Sequence, residues 1–340
     1  MTDHPYTIVG AGAIGGTLAV HLHAQGVPVQ LIDADHEHIA AIRAGGLRVD
    51  SPQGTITADL PAFTLDDAPQ ELERVLLAVK AQATASAAAW IAPRLGADGY
   101  VASLQNGLNE ATIAHHVGVE RTVAAFVDLF ADVVGPGVIK DGGSGGMALG
   151  EYGGGTSART RRLAEDLRHW GTPKVTGNVQ GYLWSKLGFG AMLTATALAD
   201  QDMSELIDRH RPAMNGLAAE VFDVAAVESV ELEPFDAFDP ESYRRGADPD
   251  RNTAATDALV AWLATQSKTR SGIWRDIVVR KRPTEVPTQY LPVLALAERH
   301  GIATPLLRDL LTLIQQREAN TIDMSEDHLA ALDRKAASRA

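Results

Sequence analysis

The sequence contains no cysteine. This absence excludes disulfide bonds, zinc sites built from thiolates and cysteine nucleophiles, and it fits a reducing cytoplasm. Positive charge is also scarce, because 30 Lys and Arg stand against 43 Asp and Glu, giving a formal net charge of −13. Nucleic acids and anionic lipid surfaces are bound by clustered basic side chains, so we expect neither as a partner.

Long apolar runs are missing as well, since none approaches the ~20 residues that a membrane-spanning helix needs. The chain passes from Met1 almost directly into an apolar segment, which leaves no room for a signal peptide. A cytoplasmic protein is therefore expected. The eleven histidines occur adjacent or two apart, spacings that do not share a helix face, so no metal site is predicted.

The N-terminus carries a glycine-rich segment that the rest of the chain can be organised around. Residues 6–9 are apolar and mostly β-branched, which is typical of a strand buried on both faces. Gly10, Gly12 and Gly15 follow with G-x-G-x-x-G spacing, and apolar residues four apart then indicate one face of a helix. Gly10 permits a tight turn, Gly12 allows backbone to approach a pyrophosphate, and Gly15 allows close packing of helix on strand.

A second predicted strand ends at Asp33, roughly 20 residues after the glycines, where an acid binds a ribose hydroxyl. Strands and helices alternate up to residue 178, which predicts a doubly wound Rossmann domain over 1–178. Only helical patterns follow, so the fold class is α/β with an all-α domain over 179–320, and a polar tail over 321–340 that frays. The cofactor-binding residues predicted from the motif are Gly10, Ala11, Gly12, Ala13, Ile14, Gly15 and Asp33.

Polar residues also follow two later strands, where Lys80 and Asn106 stand. Ligands bind outside the carboxyl ends of the strands in such sheets, so both are candidates for the cofactor site. For either residue alone, a strand-end cap facing solvent is an equally good interpretation. Residues 51–54 are predicted to turn a hairpin, and the glycine-rich stretch 135–155 is predicted to consist of turns joining the last strands.

Lys186 lies in a helical segment, 182–198, that is apolar nearly all round. Such a lysine either extends to the surface or is held in a cleft, where it can donate a proton to a carbonyl oxygen. Glu285 stands at the start of another predicted helix. Its carboxylate could orient a lysine, bind a ribose hydroxyl, or simply interact with the helix dipole.

Several short motifs together resemble ketopantoate reductases (2-dehydropantoate 2-reductases) over roughly residues 6–318. They are the glycine loop, Lys80, Gln105-Asn106-Gly107, Trp184-Ser185-Lys186-Leu187 and Asp276…Thr284-Glu285. The resemblance implies NAD(P)H-dependent reduction of a 2-keto acid, with Lys186 as general acid. It implies that Asn106 and Glu285 position cofactor and substrate, that Lys80 contacts the nicotinamide-side ribose, and that Ala131 contributes a backbone contact to the cofactor.

The sequence departs from this family at substrate-facing positions. Gly190, Thr194 and Ser204 stand where the family commonly has asparagines, and Ser271 lies one place from the family's serine. The predicted substrate-binding set is therefore Asn106, Gly190, Thr194, Ser204 and Ser271. Sites built to hydrogen-bond a substrate group discriminate strongly for it, so 2-dehydropantoate is expected to be a poor or second-best substrate, with Gly190 opening space. Nearby Lys268, Arg270 and Arg275 could bind a carboxylate or form a solvated basic patch.

The turn Asp33-Ala34-Asp35 bears on the cofactor, because the family often places an arginine there to pair with a 2′-phosphate. Two carboxylates would repel that phosphate, so NAD(H) is expected in preference to NADP(H). Two other functions stay open: a dehydrogenase of a bulkier hydroxy acid, and a non-catalytic dinucleotide sensor. The oligomeric state is also open, with a homodimer as one option.

Overall fold

The computed structural model describes residues 4–129, 131–143, 145–266 and 268–338. Residues 1–3 of the predicted first domain and 339–340 of the predicted tail lie outside these ranges. The chain divides into two compact units between Val179 and Gln180.

Strands and helices alternate in the first unit. Its helices are α1 Ala13–Ala24, α2 His36–Gly45, α3 Thr84–Ile91, α4 Glu110–Val117 and α5 Ala158–Leu167. Its strands are β1 Tyr6–Val9, β2 Val29–Ile32, β3 Leu47–Ser51, β4 Gly54–Ala58, β5 Ala62–Phe63, β6 Leu72–Leu77, β7 Leu95–Ser103, β8 Thr122–Val127, β9 Ala131–Gly135, β10 Val138–Asp141, β11 Gly146–Glu151 and β12 Thr172–Val175.

Eight of the twelve described strands form one sheet, in the order β12-β11-β8-β7-β6-β1-β2-β5. Strand β1 pairs in parallel with β2 on one side and with β6 on the other. The strand order therefore reverses beside β1, and ligands of doubly wound sheets bind outside the carboxyl ends at such a point. The predicted Rossmann fold is confirmed.

Strand β1 lies inside this sheet, between β6 and β2, and is buried throughout. Ile8 packs into one apolar cluster and Val9 into another. Because successive side chains of a strand point to opposite faces, both faces of the sheet are covered, as the apolar run at residues 6–9 predicts. Burying each such side chain stabilises the fold by about 1.5–3 kcal/mol.

A second, four-stranded sheet has the order β4-β3-β10-β9. The hairpin predicted around residues 51–54 is confirmed as the β3–β4 pair. The prediction of turns alone over 135–155 is wrong, because β10 pairs in parallel with β3 and β11 pairs antiparallel with β8. These strands are stabilised by partners far back in the chain, which a local reading of glycine content does not detect.

In the second unit, the regular secondary structure of the described residues is helical. Its α-helices are α6 Val179–Thr196, α7 Met203–Arg209, α8 Arg211–Val227, α9 Pro249–Ala264, α10 Gly272–Trp274, α11 Val286–His300, α12 Pro305–Glu318 and α13 Asp327–Ala337, with a 3-10 helical turn at Pro240–Tyr243 and a π-helical turn at Arg275–Val279. The predicted all-α second half is confirmed. Across the described ranges, no helix is both long and apolar enough to cross a membrane.

The expected fraying of the tail beyond residue 320 is wrong. Helix α13 packs against α8, and its Leu329 and Leu332 are buried. His210, at the start of α8, binds Asp333 Oδ2 through Nδ1 at 2.6 Å and Glu326 Oε1 through Nε2 at 2.9 Å. The segment is polar overall, but its apolar residues recur on one helix face, and that face is enough to dock it.

Candidate active site

The turn between β1 and α1 is as tight as the glycine spacing predicts. Gly10 has φ +102°, and a Cβ on it would lie 2.7 Å from the backbone of Ala78, just after β6. A Cβ on Gly15 would lie 2.7 Å from the Ile8 side chain of β1. No side chain larger than hydrogen fits at either position, so the turn and the close contact of helix and strand both depend on glycine.

Gly12 differs from these two glycines, because no described atom lies within 4 Å of where its Cβ would be. It is the N-cap of α1 and the residues after it, Ala13 and Ile14, form the first turn. The first N–H groups of a helix have no acceptor within the helix and carry a partial positive charge. This open helix N-terminus can hold a pyrophosphate.

Asp33 follows β2 and points its carboxylate at the same turn. Its Oδ2 accepts a hydrogen bond from the Ala11 N–H at 2.7 Å, and its Oδ1 accepts one from the Asp35 N–H at 2.9 Å. The carboxylate is half-buried, and each oxygen has a second lone pair. It can therefore accept a ribose hydroxyl while staying bonded to the loop.

Lys80 and Asn106 are both exposed, beyond the carboxyl ends of β6 and β7 respectively. Sequence reasoning named Gln105 within a motif but gave no role to its side chain, which joins these two turns. Buried Gln105 donates from Nε2 to Val79 O at 2.9 Å and to Thr84 Oγ1 at 2.7 Å. Asn109 in turn donates to the Asn106 carbonyl at 2.7 Å. The sequence signal that could have indicated this role is a polar residue directly after a buried strand.

Ala131, the proposed backbone contact, is the first residue of β9 in the second sheet, where it pairs with Asp141. Its side chain is half-buried. The structure thus gives this residue a fixed, sheet-bound backbone.

In the second unit, Lys186 lies on the half-buried side of α6. Lys186, Gly190 and Leu193 are half-buried, whereas most of the helix between and around them is buried. Residues spaced by four and three share a helix face. This face is therefore the least buried side of α6.

The expectation that Gly190 opens space is wrong. A Cβ on Gly190 would lie 2.9 Å from the hydroxyl of Tyr290 on α11, and Tyr290 is fully buried. Its hydroxyl donates to Leu187 O at 2.8 Å, and burial raises the pKa of this phenol. The small residue at position 190 accommodates an aromatic ring from another helix.

Thr194, which the sequence predicts as a substrate-binding residue, does not lie on the half-buried face of Lys186. Thr194 is buried, and its hydroxyl donates to the Gly190 carbonyl at 2.7 Å. A β-branched hydroxyl side chain in a helix commonly bonds the carbonyl one turn back, so this side chain turns along its own helix.

Glu285 directly precedes α11 and is half-buried. Because Tyr290 of α11 binds the carbonyl of Leu187, next to Lys186, the helix that Glu285 begins is held against α6. The structure thereby brings together the helices of the two predicted catalytic residues.

Ser204 and Ser271 come from neighbouring segments, since the N–H of Met203 donates to Thr269 O at 2.9 Å. Ser204 is half-buried, in the first turn of α7. Ser271 is buried and its Oγ accepts the Trp274 N–H at 3.2 Å. Of the nearby cations, Arg270 forms ion pairs with Asp200 and Asp202, which satisfies much of its charge.

The chain matches two models of known families. Residues 6–154 match "Ketopantoate reductase PanE/ApbA", and residues 178–318 match "Ketopantoate reductase PanE/ApbA C terminal". The chain belongs to the ketopantoate reductase family. It is a ketopantoate-reductase-type oxidoreductase, and α13 lies beyond the matched residues.

Three known proteins are similar to this chain over nearly their whole length. The 2-dehydropantoate 2-reductase of Halobacterium salinarum is 29% identical over 315 residues, covering 91% of this chain and 97% of that protein. A family ketopantoate reductase from Ralstonia eutropha JMP134 superposes with TM-score 0.78 at 25% identity, covering 93% and 99%. A D-mandelate dehydrogenase in complex with NADH matches with the same TM-score, identity and coverage.

Proposed function

We propose that this chain transfers hydride between a nicotinamide dinucleotide and a small 2-keto or 2-hydroxy acid. Residues 1–178 would bind the dinucleotide, and residues 179–320 would bind the acid and supply the proton. The observation that carries the proposal is the half-buried Lys186 on a mostly buried helix, in a chain whose glycine turn and Asp33 have the geometry that suits a dinucleotide.

The chain's own groups suit the cofactor. The α1 N-terminus would hold the pyrophosphate, and Asp33 would accept a hydrogen bond from the adenosine ribose. Lys80, Asn106 and the backbone of Ala131 would contact the nicotinamide half. When bound, the nicotinamide supplies or accepts the hydride.

Lys186 would move the proton. As the carbonyl carbon gains a hydride, its oxygen develops negative charge, and Lys186 Nζ would donate a proton to it. The product is a 2-hydroxy acid, and the lysine regains its proton from solvent. Glu285 would orient the ammonium group, which the contact between α11 and α6 supports. In the reverse direction the neutral amine accepts the hydroxyl proton.

The cofactor we propose is NAD(H). The Asp33 carboxylate is held by two N–H groups, and Asp35 is held as the N-cap of α2, where it accepts the His38 N–H at 3.0 Å. Neither carboxylate can swing away without losing these bonds. A 2′-phosphate ~4 Å from them would cost on the order of 1–4 kcal/mol, which is a preference of about tenfold or more.

We propose that the best substrate is an acid other than 2-dehydropantoate. The positions where the family commonly has asparagine amides hold Gly190 and the internally bonded Thr194, and missing pairings of this kind cost ~1–3 kcal/mol each. A bulkier 2-hydroxy acid is the second candidate, supported by the similarity to the D-mandelate dehydrogenase with NADH.

Steady-state kinetics test the proposal, with NADH and NADPH each paired with 2-dehydropantoate, smaller 2-keto acids and phenylglyoxylate. We expect turnover with NADH at a kcat/KM at least about tenfold above that with NADPH, and 2-dehydropantoate should not be the best substrate. Equal values for the two cofactors would contradict the role of Asp33 and Asp35. If kcat/KM were of ordinary size and highest for 2-dehydropantoate, that acid would be the substrate, as the family name indicates. If no pair of cofactor and acid gave turnover, the proposed function would be refuted.

A further inference from the structure

Ala11, the residue between the first two glycines of the loop, lies in a closed ring of hydrogen bonds. Its N–H donates to Asp33 Oδ2 at 2.7 Å, and Asp33 Oδ1 accepts the Asp35 N–H at 2.9 Å. Asp35 Oδ1 accepts the N–H of His38 at 3.0 Å. The ring closes where His38 Nε2 meets the Ala11 carbonyl at 2.9 Å.

The partners of His38 determine which of its nitrogens carries the proton. The Gly137 N–H points at Nδ1 at 3.1 Å, and an N–H can only donate, so Nδ1 is an acceptor. Nε2 therefore carries the proton and donates to Ala11 O, which can only accept. The bond from Gly137 requires the neutral imidazole, because a protonated Nδ1 cannot accept. The ring is buried at 5% exposure, so water does not replace either partner freely.

Gly137 is itself fixed, which makes it a firm support for the imidazole. It lies in the turn between β9 and β10, with φ +69°. Its carbonyl accepts the Arg48 N–H from β3 at 2.9 Å, and a Cβ on it would lie 3.3 Å from Ala41 of α2. The His38 side chain thus links the turn between β9 and β10 to the glycine loop.

We propose that His38 is a positioning residue for dinucleotide binding. By donating a hydrogen bond to the Ala11 carbonyl, it sets the orientation of the peptide that leads into Gly12 and the α1 N-terminus. It transmits the rigidity of the second sheet to the loop that would hold the pyrophosphate. The role rests on the proposed function, because it concerns the affinity of the same cofactor site.

Two substitutions separate the two bonds of the imidazole. In His38→Gln, the amide nitrogen lies four bonds from Cα, as Nε2 does, so the donor to Ala11 O is kept and the acceptor for Gly137 is lost. In His38→Asn, the amide oxygen lies three bonds from Cα, as Nδ1 does, so the acceptor is kept and the donor to Ala11 is lost. His23→Asn, at an exposed position of α1, is the matched control.

The measurement is the Kd for NADH of the full chain by fluorescence titration, together with KM for NADH and kcat. We expect His38→Asn to raise both Kd and KM about tenfold, with kcat at saturating NADH changed less than about twofold. His38→Gln should weaken binding by no more than about twofold, and His23→Asn should not change it. Equal Kd values for His38→Asn and the unsubstituted chain would overturn the role, as would equal losses in both His38 variants.

Measuring the tautomer of His38 in the unsubstituted chain tests the proposal even if His38→Asn fails to fold. The imidazole ¹⁵N shifts should report a neutral ring protonated at Nε2, both with and without NADH. A ring protonated at Nδ1, or one that changes tautomer when NADH binds, would overturn the proposal. An unsubstituted chain that binds neither NADH nor NADPH would instead remove the proposed function, which keeps the two failures apart.

Discussion

Lys186 is the side chain on which the proposed chemistry depends. It is half-buried on a helix whose neighbouring residues Ser185 and Leu187 are buried, so it is accessible from one side only. A lysine placed in this way can reach a small substrate while its stem packs on apolar neighbours.

Lys186→Ala should lower kcat by about 10²–10⁴, as loss of a general acid does, with little change in the Kd for NADH. Stopped-flow and steady-state assays on the best substrate measure this effect. The matched control is Lys140→Ala, which removes an exposed lysine of β10 and should leave both quantities unaffected. Near-normal turnover in Lys186→Ala would mean that the lysine has a structural role only.

At the scale of an element, α4 begins with an unusual residue. Glu110 is 1% exposed, and its Oε1 has no hydrogen-bond partner among the described residues. Burial raises the pKa of this carboxyl to about 7, although hydrogen bonds from the backbone at the helix start act in the opposite direction. Above that pH the folded chain keeps an ionised carboxylate out of water, which is unfavourable.

The stability of the chain should therefore depend on pH through Glu110. The folded chain binds this proton below about pH 7 and the unfolded chain only below about 4.5, so stability rises as pH falls between these values. At 1.4 kcal/mol per unit, the effect is on the order of 3 kcal/mol. Glu110→Gln does not titrate, so it should not lose stability in this way as the pH rises. Its stability relative to the parent chain should therefore increase from low to high pH.

Thermal unfolding at pH 8, 7, 6 and 5 measures this. The difference in Tm between Glu110→Gln and the parent chain should favour the variant most at pH 8 and should shrink steadily toward pH 5. Glu71→Gln, which replaces an exposed carboxylate, should show no such trend. A difference that stays constant across the series would rule out Glu110 as the titrating group.

At the scale of the whole molecule, the C-terminal helix is part of the second unit and not an appendage. Leu329 and Leu332 of α13 are at most 2% exposed, and His210 of α8 binds two carboxylates next to and within that helix. The match to the family ends at residue 318, so this contact involves a helix outside the matched residues.

Leu332→Ala should lower the free energy of unfolding by about 2–4 kcal/mol, because it removes buried apolar volume and leaves a cavity. Arg334→Ala, two residues later on the exposed side, should change it by less than about 0.5 kcal/mol. Urea denaturation of both variants gives the comparison. If the two variants proved equally stable, α13 would not be docked in solution.

Sequence by itself determined the features that depend on residues close together in the chain. The turn at Gly10, the packing at Gly15 and the acid at Asp33 follow from short-range sterics and from hydrogen bonds across one βαβ unit. The hydrophobic periodicity of the two halves likewise predicted a Rossmann domain followed by helices, and that fold is confirmed.

Tertiary structure alone decided which distant residues meet. Tyr290 fills the space opposite Gly190, β10 pairs with β3, and Gly137 supports His38. None of these partners is signalled locally, because their pairing is set by the packing of whole elements, whose burial outweighs the preferences of any short segment. The surroundings expected for Gly190 and Thr194 differ from those in the structure for this reason: spacing along α6 gives the face of a residue, but not what the neighbouring helix places against it.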